Sequence, residues 1–314
     1  MLVELSKTKE FRLKTSEEQL REYFTELKIA VTNGNIEPTE ALLYTNDNRE
    51  IFISVIDPEK AFSDLTAIVG EAHADDAVLG EGINNISAGM GVGVTYVTMT
   101  DGSARVLEGY ETPRDLALQR RKESVEAARK AGAAMVINLG YPDGSLGNYK
   151  YEAAKDLQSI MDIINPRYIL APNRQDTHRD HAAGYAVANR ARHSKKTSLY
   201  GMDTQSMKGK WGFSLRPTHH FEVSQGAKLI RDEEYDTHGS QVNVPNRKDV
   251  DQVFAMPEIR GAQKGWKYGG VLHKAWFSRD SLTPLLQQNG IEVTRRTTPS
   301  ILFERVKGRF GLAA

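Results

Sequence analysis

No cysteine occurs among the 314 residues of this chain. Disulfide staples and thiolate chemistry are therefore excluded, and any zinc must be held by nitrogen and oxygen donors. Neither sign of charge is in excess, since 41 Lys and Arg balance 41 Asp and Glu. Nothing in that balance recommends nucleic acid or a membrane surface as a partner. No run approaches the roughly 18 apolar residues of a membrane-spanning helix. Met1 through Lys7 is charged within a few residues and lacks the apolar core of a secretory leader. A cytoplasmic location is expected. What remains is an ordinary globular composition, 39% hydrophobic and 26% charged, long enough for one α/β domain with additions.

Residues 1–62 read as an N-terminal extension. Thr15-Ser16-Glu17-Glu18 is a helix start, with Leu20, Tyr23, Phe24 and Leu27 at helical spacing and Asn33-Gly34 as a stop. Ala41–Tyr44 and Ile51–Val55 flank a polar turn and predict a β-hairpin, with covering of a sheet edge as its simplest role. Residues 63–314 are assigned to the main domain. Strands are expected at Thr66–Gly70, Val92–Met99, Ala134–Leu139 and Tyr168–Pro172. Helices are expected at Ala77–Met90, Pro113–Lys130, Tyr151–Ile164 and Asp180–Arg192. This alternation implies an α/β fold, a Rossmann-like, mainly parallel sheet with helices on both faces. After residue 200 the pattern weakens, with late strands expected at Leu272–Phe277 and Ser300–Val306. Gly89-Met90-Gly91-Val92-Gly93 precedes a strand and so reads as a helix stop and tight turn, not a dinucleotide loop.

Two segments follow the first and fourth of these strands, where open α/β sheets bind ligands. One is Ala72-His73-Ala74-Asp75-Asp76-Ala77-Val78-Leu79-Gly80; the other is Asp176-Thr177-His178-Arg179-Asp180-His181. Together they offer two histidines and a carboxylate for a metal, with a carboxylate and a histidine to spare. Three protein ligands leave a fourth zinc position open, the pattern of a catalytic site. Asp75 is a candidate general base, and His178 a donor to a developing oxyanion. Asp180 is a candidate to orient His178. A helix N-cap is the competing role for Asp76. His219-His220 reads as structural, because adjacent side chains diverge in a strand.

The two segments resemble the motifs Ala-His-Pro-Asp-Asp-Glu and Asp-x-His-x-Asp-His of the PIG-L/LmbE family of zinc-dependent de-N-acetylases. Ala74 stands where that family carries proline, Ala77 where it carries glutamate, and Lys274 where it usually has an acid. The resemblance extends to Arg120-Arg121-Lys122-Glu123, Pro142-Asp143-Gly144-Ser145-Leu146, His238-Gly239-Ser240-Gln241 and Ala275-Trp276-Phe277. It implies zinc on His73, Asp76 and His181, Asp75 as base, and His178 at the oxyanion with Asp180 behind it. It implies Arg120 and Asp143 as substrate contacts. The expected activity is hydrolysis of an N-acyl group, N-acetyl foremost, from a small-molecule amino-sugar conjugate. Iron suits the same donors. Hydrolysis of another amide (a thiol conjugate or a modified nucleoside) and a non-catalytic binding module stand as rival readings. Homo-oligomerisation is left open.

Overall fold

The computed structural model describes residues 15–34, 37–79, 83–104, 110, 112–192, 197–203, 217–242 and 280–295, with part of 257–274. The strands are β1 (Thr39–Tyr44), β2 (Glu50–Val55), β3 (Thr66–Glu71), β4 (Gly93–Thr100) and β5 (Met135–Tyr141), followed by β6 (Tyr168–Pro172), β7 (Ser198–Met202), β8 (His219–Glu222), β9 (Gly269–Lys274) and β10 (Val293–Arg295). They form one sheet in the order β1-β2-β5-β4-β3-β6-β7-β9-β8-β10. The five central strands, β5 through β7 in that order, are parallel. The hairpin β1–β2 extends one edge through an antiparallel β2–β5 pairing, as β9, β8 and β10 extend the other.

The helices are α1 (Ser16–Thr32), α2 (Pro58–Ala61), α3 (Asp76–Leu79), α4 (Ile83–Gly89) and α5 (Pro113–Ala131), then α6 (Lys150–Ile164), α7 (Arg179–Ala191), α8 (Gln225–Asp236), α9 (Gly239–Val242) and α10 (Leu282–Gln288). Alternation along each strand sends successive side chains to opposite faces and so builds two cores. Ile68, Val97, Ile137 and Ile169 pack with Leu20 and Phe24 of α1, Leu157 and Ile160 of α6 and Val187 of α7. Val69, Val94, Val136 and Leu170 pack with Ile83 of α4, Val125 of α5, Ala227 of α8 and Leu286 of α10.

The ends of the elements follow local chemistry. Thr15 and Glu18 make the expected capping box for α1, and Thr112 and Asp115 make another for α5, with Pro113 in its first turn. The Gly89–Gly93 stretch is a turn, with Gly91 at φ +79°, and a Cβ on Gly93 would meet the Lys60 carbonyl oxygen at 1.8 Å. Within the helix expected over Ala77–Met90, α3 and α4 are helical, and residues 80–82 lie outside the described residues. The late strand around Leu272 is β9, whereas Ala275–Phe277 and Ser300–Val306 lie outside the described residues. Among the described residues, no helix is long and apolar enough to cross a membrane.

Strand order turns around β3: β4 and β5 lie on one side of it, β6 and β7 on the other. The loops leaving β3 and β6 therefore part to opposite faces of the sheet and leave a crevice between their carboxyl ends. Both candidate segments meet there.

Candidate metal centre and active site

His73 and Asp76 sit on the turn between β3 and α3. Asp76 Oδ2 accepts the backbone N–H groups of Ala72 and His73 at 2.9 and 3.0 Å, which fixes the carboxylate on its own turn. These bonds tie it back to the preceding turn and are not the helix N-cap weighed for it, since Ala72 and His73 come before α3. Asp76 Oδ1 is buried without a hydrogen bond. It lies 3.0 Å from His181 Nε2, but in a geometry that makes no hydrogen bond. His73 Nδ1 is 3.3 Å from His181 Nε2 and 3.8 Å from Asp76 Oδ2.

The outer nitrogens of both imidazoles are already taken. His73 Nε2 donates to Asp143 Oδ1 at 3.1 Å, and His181 Nδ1 faces Asp176 Oδ2 at 3.1 Å. These carboxylates select the tautomers that leave His73 Nδ1 and His181 Nε2 as lone pairs pointing inward. Two lone pairs and a carboxylate oxygen then converge on one place, which calls for positive charge. A proton or a cation can supply it. Burial drives the His181 imidazole toward neutrality, but the charge of Asp76 and the bond and charge of Asp176 outweigh it and push its pKa up to about 10. His73 moves the same way: burial opposes, and Asp143, Asp180 and Asp76 prevail. A divalent cation would displace those protons. The donor set of two imidazoles and one carboxylate suits zinc, and iron equally.

The remaining residues surround this point. Asp75 is 5% exposed on the same turn. His178 caps α7, with its ring centroid 5.0 Å from that of His73 and 4.6 Å from that of His181. Burial first, and then the charges of His181 and His73, lower its pKa. Its Nδ1 is buried without a hydrogen-bond partner among the described residues.

Two expected placements differ. Asp180 makes no hydrogen bond to His178; its oxygens accept the Gly144 and Leu146 N–H groups at 2.6 and 3.2 Å. Residues two apart at a helix start point in different directions, so Asp180 reaches His178 through charge alone. Asp143, expected as a substrate contact, is bonded to His73 and to the Ala104 N–H, each at 3.1 Å. Burial would raise its carboxyl, but the His73 bond and charge bring it down to about 2. Arg120 donates to the Gly102 carbonyl and lies 3.8 Å from Asp143.

Two carboxylates had no role in the sequence reading. Asp176 also accepts the His178 N–H at 2.8 Å, so it holds both histidines of its segment. The rule that ligand histidines carry a second carboxylate was the signal for it. Glu71 accepts the Ala77 N–H at 3.0 Å and the Thr98 hydroxyl at 2.5 Å. Ala74 and Ala77 are buried, at 7% and 0% exposure, so the two departures from the family motif are packed positions. Farther out, Glu123 accepts the Ser240 N–H and hydroxyl at 2.9 and 2.6 Å, which joins the Arg120 helix to the His238-Gly239-Ser240 turn.

Fold and crevice together define an α/β protein with an inward-facing nitrogen and oxygen ligand set at its topological switch point. Residues 68–192 match the family described as PIG-L, GlcNAc-PI de-N-acetylase, in line with the resemblance drawn from the motifs. Diacetylchitobiose deacetylase of Thermococcus kodakarensis is 25% identical over 177 residues, covering 52% of this chain and 66% of that relative. N,N'-diacetylchitobiose deacetylase from Pyrococcus horikoshii superposes with a TM-score of 0.57 at 23% identity, over 70% of this chain and 87% of the other. GalB from Pseudomonas putida KT2440, a 4-carboxy-2-hydroxymuconate hydratase, superposes with a TM-score of 0.54 at 17% identity, over 69% and 98% of the two chains. The fold is shared across these chemistries, so the site must carry the functional argument.

Proposed function

We propose that this protein is a metal-dependent amide hydrolase that removes an N-acyl group, N-acetyl foremost, from an amino-sugar conjugate. The convergence of His73 Nδ1, His181 Nε2 and the unbonded Asp76 Oδ1 carries this reading. The PIG-L match and the two diacetylchitobiose deacetylases support the N-acetyl amino sugar as substrate class. His73, Asp76 and His181 would hold zinc or another divalent cation. Bound there, it would polarise the amide carbonyl and acidify water.

The chain's own groups do the rest. Asp75 takes the proton of the attacking water and returns it to the departing amine nitrogen. His178 donates a hydrogen bond to the carbonyl oxygen as that oxygen gains charge. Asp180 favours the charged form of His178 and anchors the Gly144–Leu146 turn across the crevice. Arg120 and Asp143 grip the sugar, Asp143 with the oxygen capacity left beside His73. The products are a carboxylic acid and a free amine.

Asp75→Asn is expected to retain the metal and lose about 10²- to 10⁴-fold in kcat on N,N'-diacetylchitobiose, the usual worth of a positioned general base. Metal content and steady-state rates measure both halves. Full turnover in that variant rejects the base; metal absent from wild type and variant alike rejects the centre.

A further inference from the structure

Arg49 and Glu50 belong to the N-terminal hairpin, outside the matched residues 68–192. No step above uses them, yet both are engaged with β5 and the helices that flank it. They are consecutive at the entry to β2, so their side chains leave on opposite faces of the sheet.

Arg49 goes to the α6 face. It donates to the Leu139 carbonyl at 2.8 Å and to Asp156 Oδ2 at 3.3 Å, and its guanidinium carbon lies 3.8 Å over the Tyr141 ring. The Tyr141 hydroxyl donates to the same Asp156 oxygen at 2.7 Å. Glu50 goes to the α5 face. Its carboxylate accepts from Arg121 at 3.0 Å and from Arg114 at 2.7 Å. Its carbonyl lies where a Cβ on Gly140 would come to 2.4 Å, and Gly140 has φ +67°. The end of β5 is thus clasped from both faces.

Two short covalent steps lead from this clasp to the site. Tyr141 is followed by Pro142 and Asp143, and Arg121 is preceded by Arg120. The Tyr141 carbonyl accepts the Asp101 N–H at 2.8 Å, and Asp101 Oδ1 accepts the Asp143 N–H at 3.2 Å. Asp143 reaches His73, and Arg120 reaches Gly102.

We infer that the β1–β2 hairpin is a positioning element of the site: Arg49 and Glu50, by holding Tyr141 and Arg121, set where Asp143 and Arg120 stand against His73. This rests on the reading of Arg120 and Asp143 as substrate contacts. Neither hairpin residue touches the reacting groups. Loss of the clasp lets the Asp143 turn and Arg120 drift, which weakens substrate binding and loosens the Asp143 bond to His73, while Asp76 and His181, held by their own partners, stay in place.

The test uses the full-length, zinc-loaded protein with Glu50→Gln, Glu50→Asp and Arg49→Lys. Three quantities are read: KM and kcat on N,N'-diacetylchitobiose, zinc affinity by chelator competition, and hydrogen exchange at the Asp143, Gly144 and Leu146 amides. Glu50→Gln is expected to raise KM about tenfold, the worth of one charge-assisted hydrogen bond, with kcat at saturating zinc nearly unchanged and zinc affinity lowered by less than the about 10-fold that outright loss of a carboxylate partner brings. Exchange at the three amides should quicken, while β3 and β4 amides stay as in wild type. Glu50→Asp should recover most of the KM. Arg49→Lys, which keeps the charge but not the fork, should follow Glu50→Gln. Should the buried Arg49 variant fail to fold, Glu50, at 19% side-chain exposure, decides alone. A Glu50→Gln protein that melts lower but keeps wild-type KM and amide exchange overturns the inference. If wild type leaves the disaccharide uncleaved, the proposed function fails for that substrate, and unchanged exchange in Glu50→Gln still overturns the clasp.

Discussion

Among single residues, the acids outnumber the roles a hydrolytic mechanism requires, and hydrogen bonds sort them. Asp76 is committed to its own turn, Asp176 to His181, Asp143 to His73, and Asp180 to the Gly144 turn. The convergence of His73, Asp76 and His181 was readable because His73 and Asp76 share one turn and His181 sits in the first turn of α7. The carboxylate partners were harder to read. Asp143 is 70 residues from His73, and only the β3–β4–β5 register brings them together. Asp180 was assigned to His178 by nearness in sequence, and the start of α7 turned it elsewhere. Asp176→Asn should lower zinc affinity about 10- to 100-fold, as removal of an outer-shell partner commonly does. Chelator competition measures it, and the metal-free protein should unfold at an unchanged midpoint.

For whole elements, the central strands were legible as short apolar runs bounded by turns, and the start of α1 as a Thr-x-x-Glu box; the ends of these strands fall within a residue or two of those expected. The antiparallel flanks were less legible. The hairpin could be read as a hairpin, but its pairing with β5 rests on Phe52–Val55 meeting Met135–Asn138, a long-range register without local signal. At the other edge, His219 is buried and bonded to Asp280 at 3.0 Å, in keeping with a structural role, although Asp280 lies 61 residues away. The N-terminal helix is part of the core: Leu20 and Phe24 are fully buried in the cluster that includes Leu157 and Ile160 of α6. Phe24→Ala is therefore expected to cost about 3–5 kcal/mol in urea unfolding. Zinc content of the folded fraction should not change, since α1 lends no ligand. A loss below about 1 kcal/mol would mean that α1 docks only loosely.

Taken as a whole, the molecule buries charge away from the crevice as well. Glu234 of α8 is fully buried and accepts the Tyr96 hydroxyl at 2.8 Å; Asn84, Asn85 and Arg231 face it. Burial is the main cause that raises its pKa, to about 7, against an unfolded value of 4.5. The neutral acid is favoured in the folded state, so its stabilisation is full below pH 4.5 and fades as pH rises through 7. The span corresponds to about 3 kcal/mol. Subtracting the unfolding free energy of Glu234→Gln from that of wild type should leave this slope; a flat difference from pH 4 to 8 would mean that Glu234 titrates normally. The β3–β6 pairing has a consequence in time. Ala67 meets Tyr168 in that register, so the two halves of the ligand set are joined across about a hundred residues of chain. A nascent chain that has not yet delivered residue 181 owns one imidazole and one carboxylate of the trio. If the proposed zinc binds here, it meets a complete trio only once β3 and β6 have paired, and cells starved of the metal are then expected to accumulate folded, inactive protein.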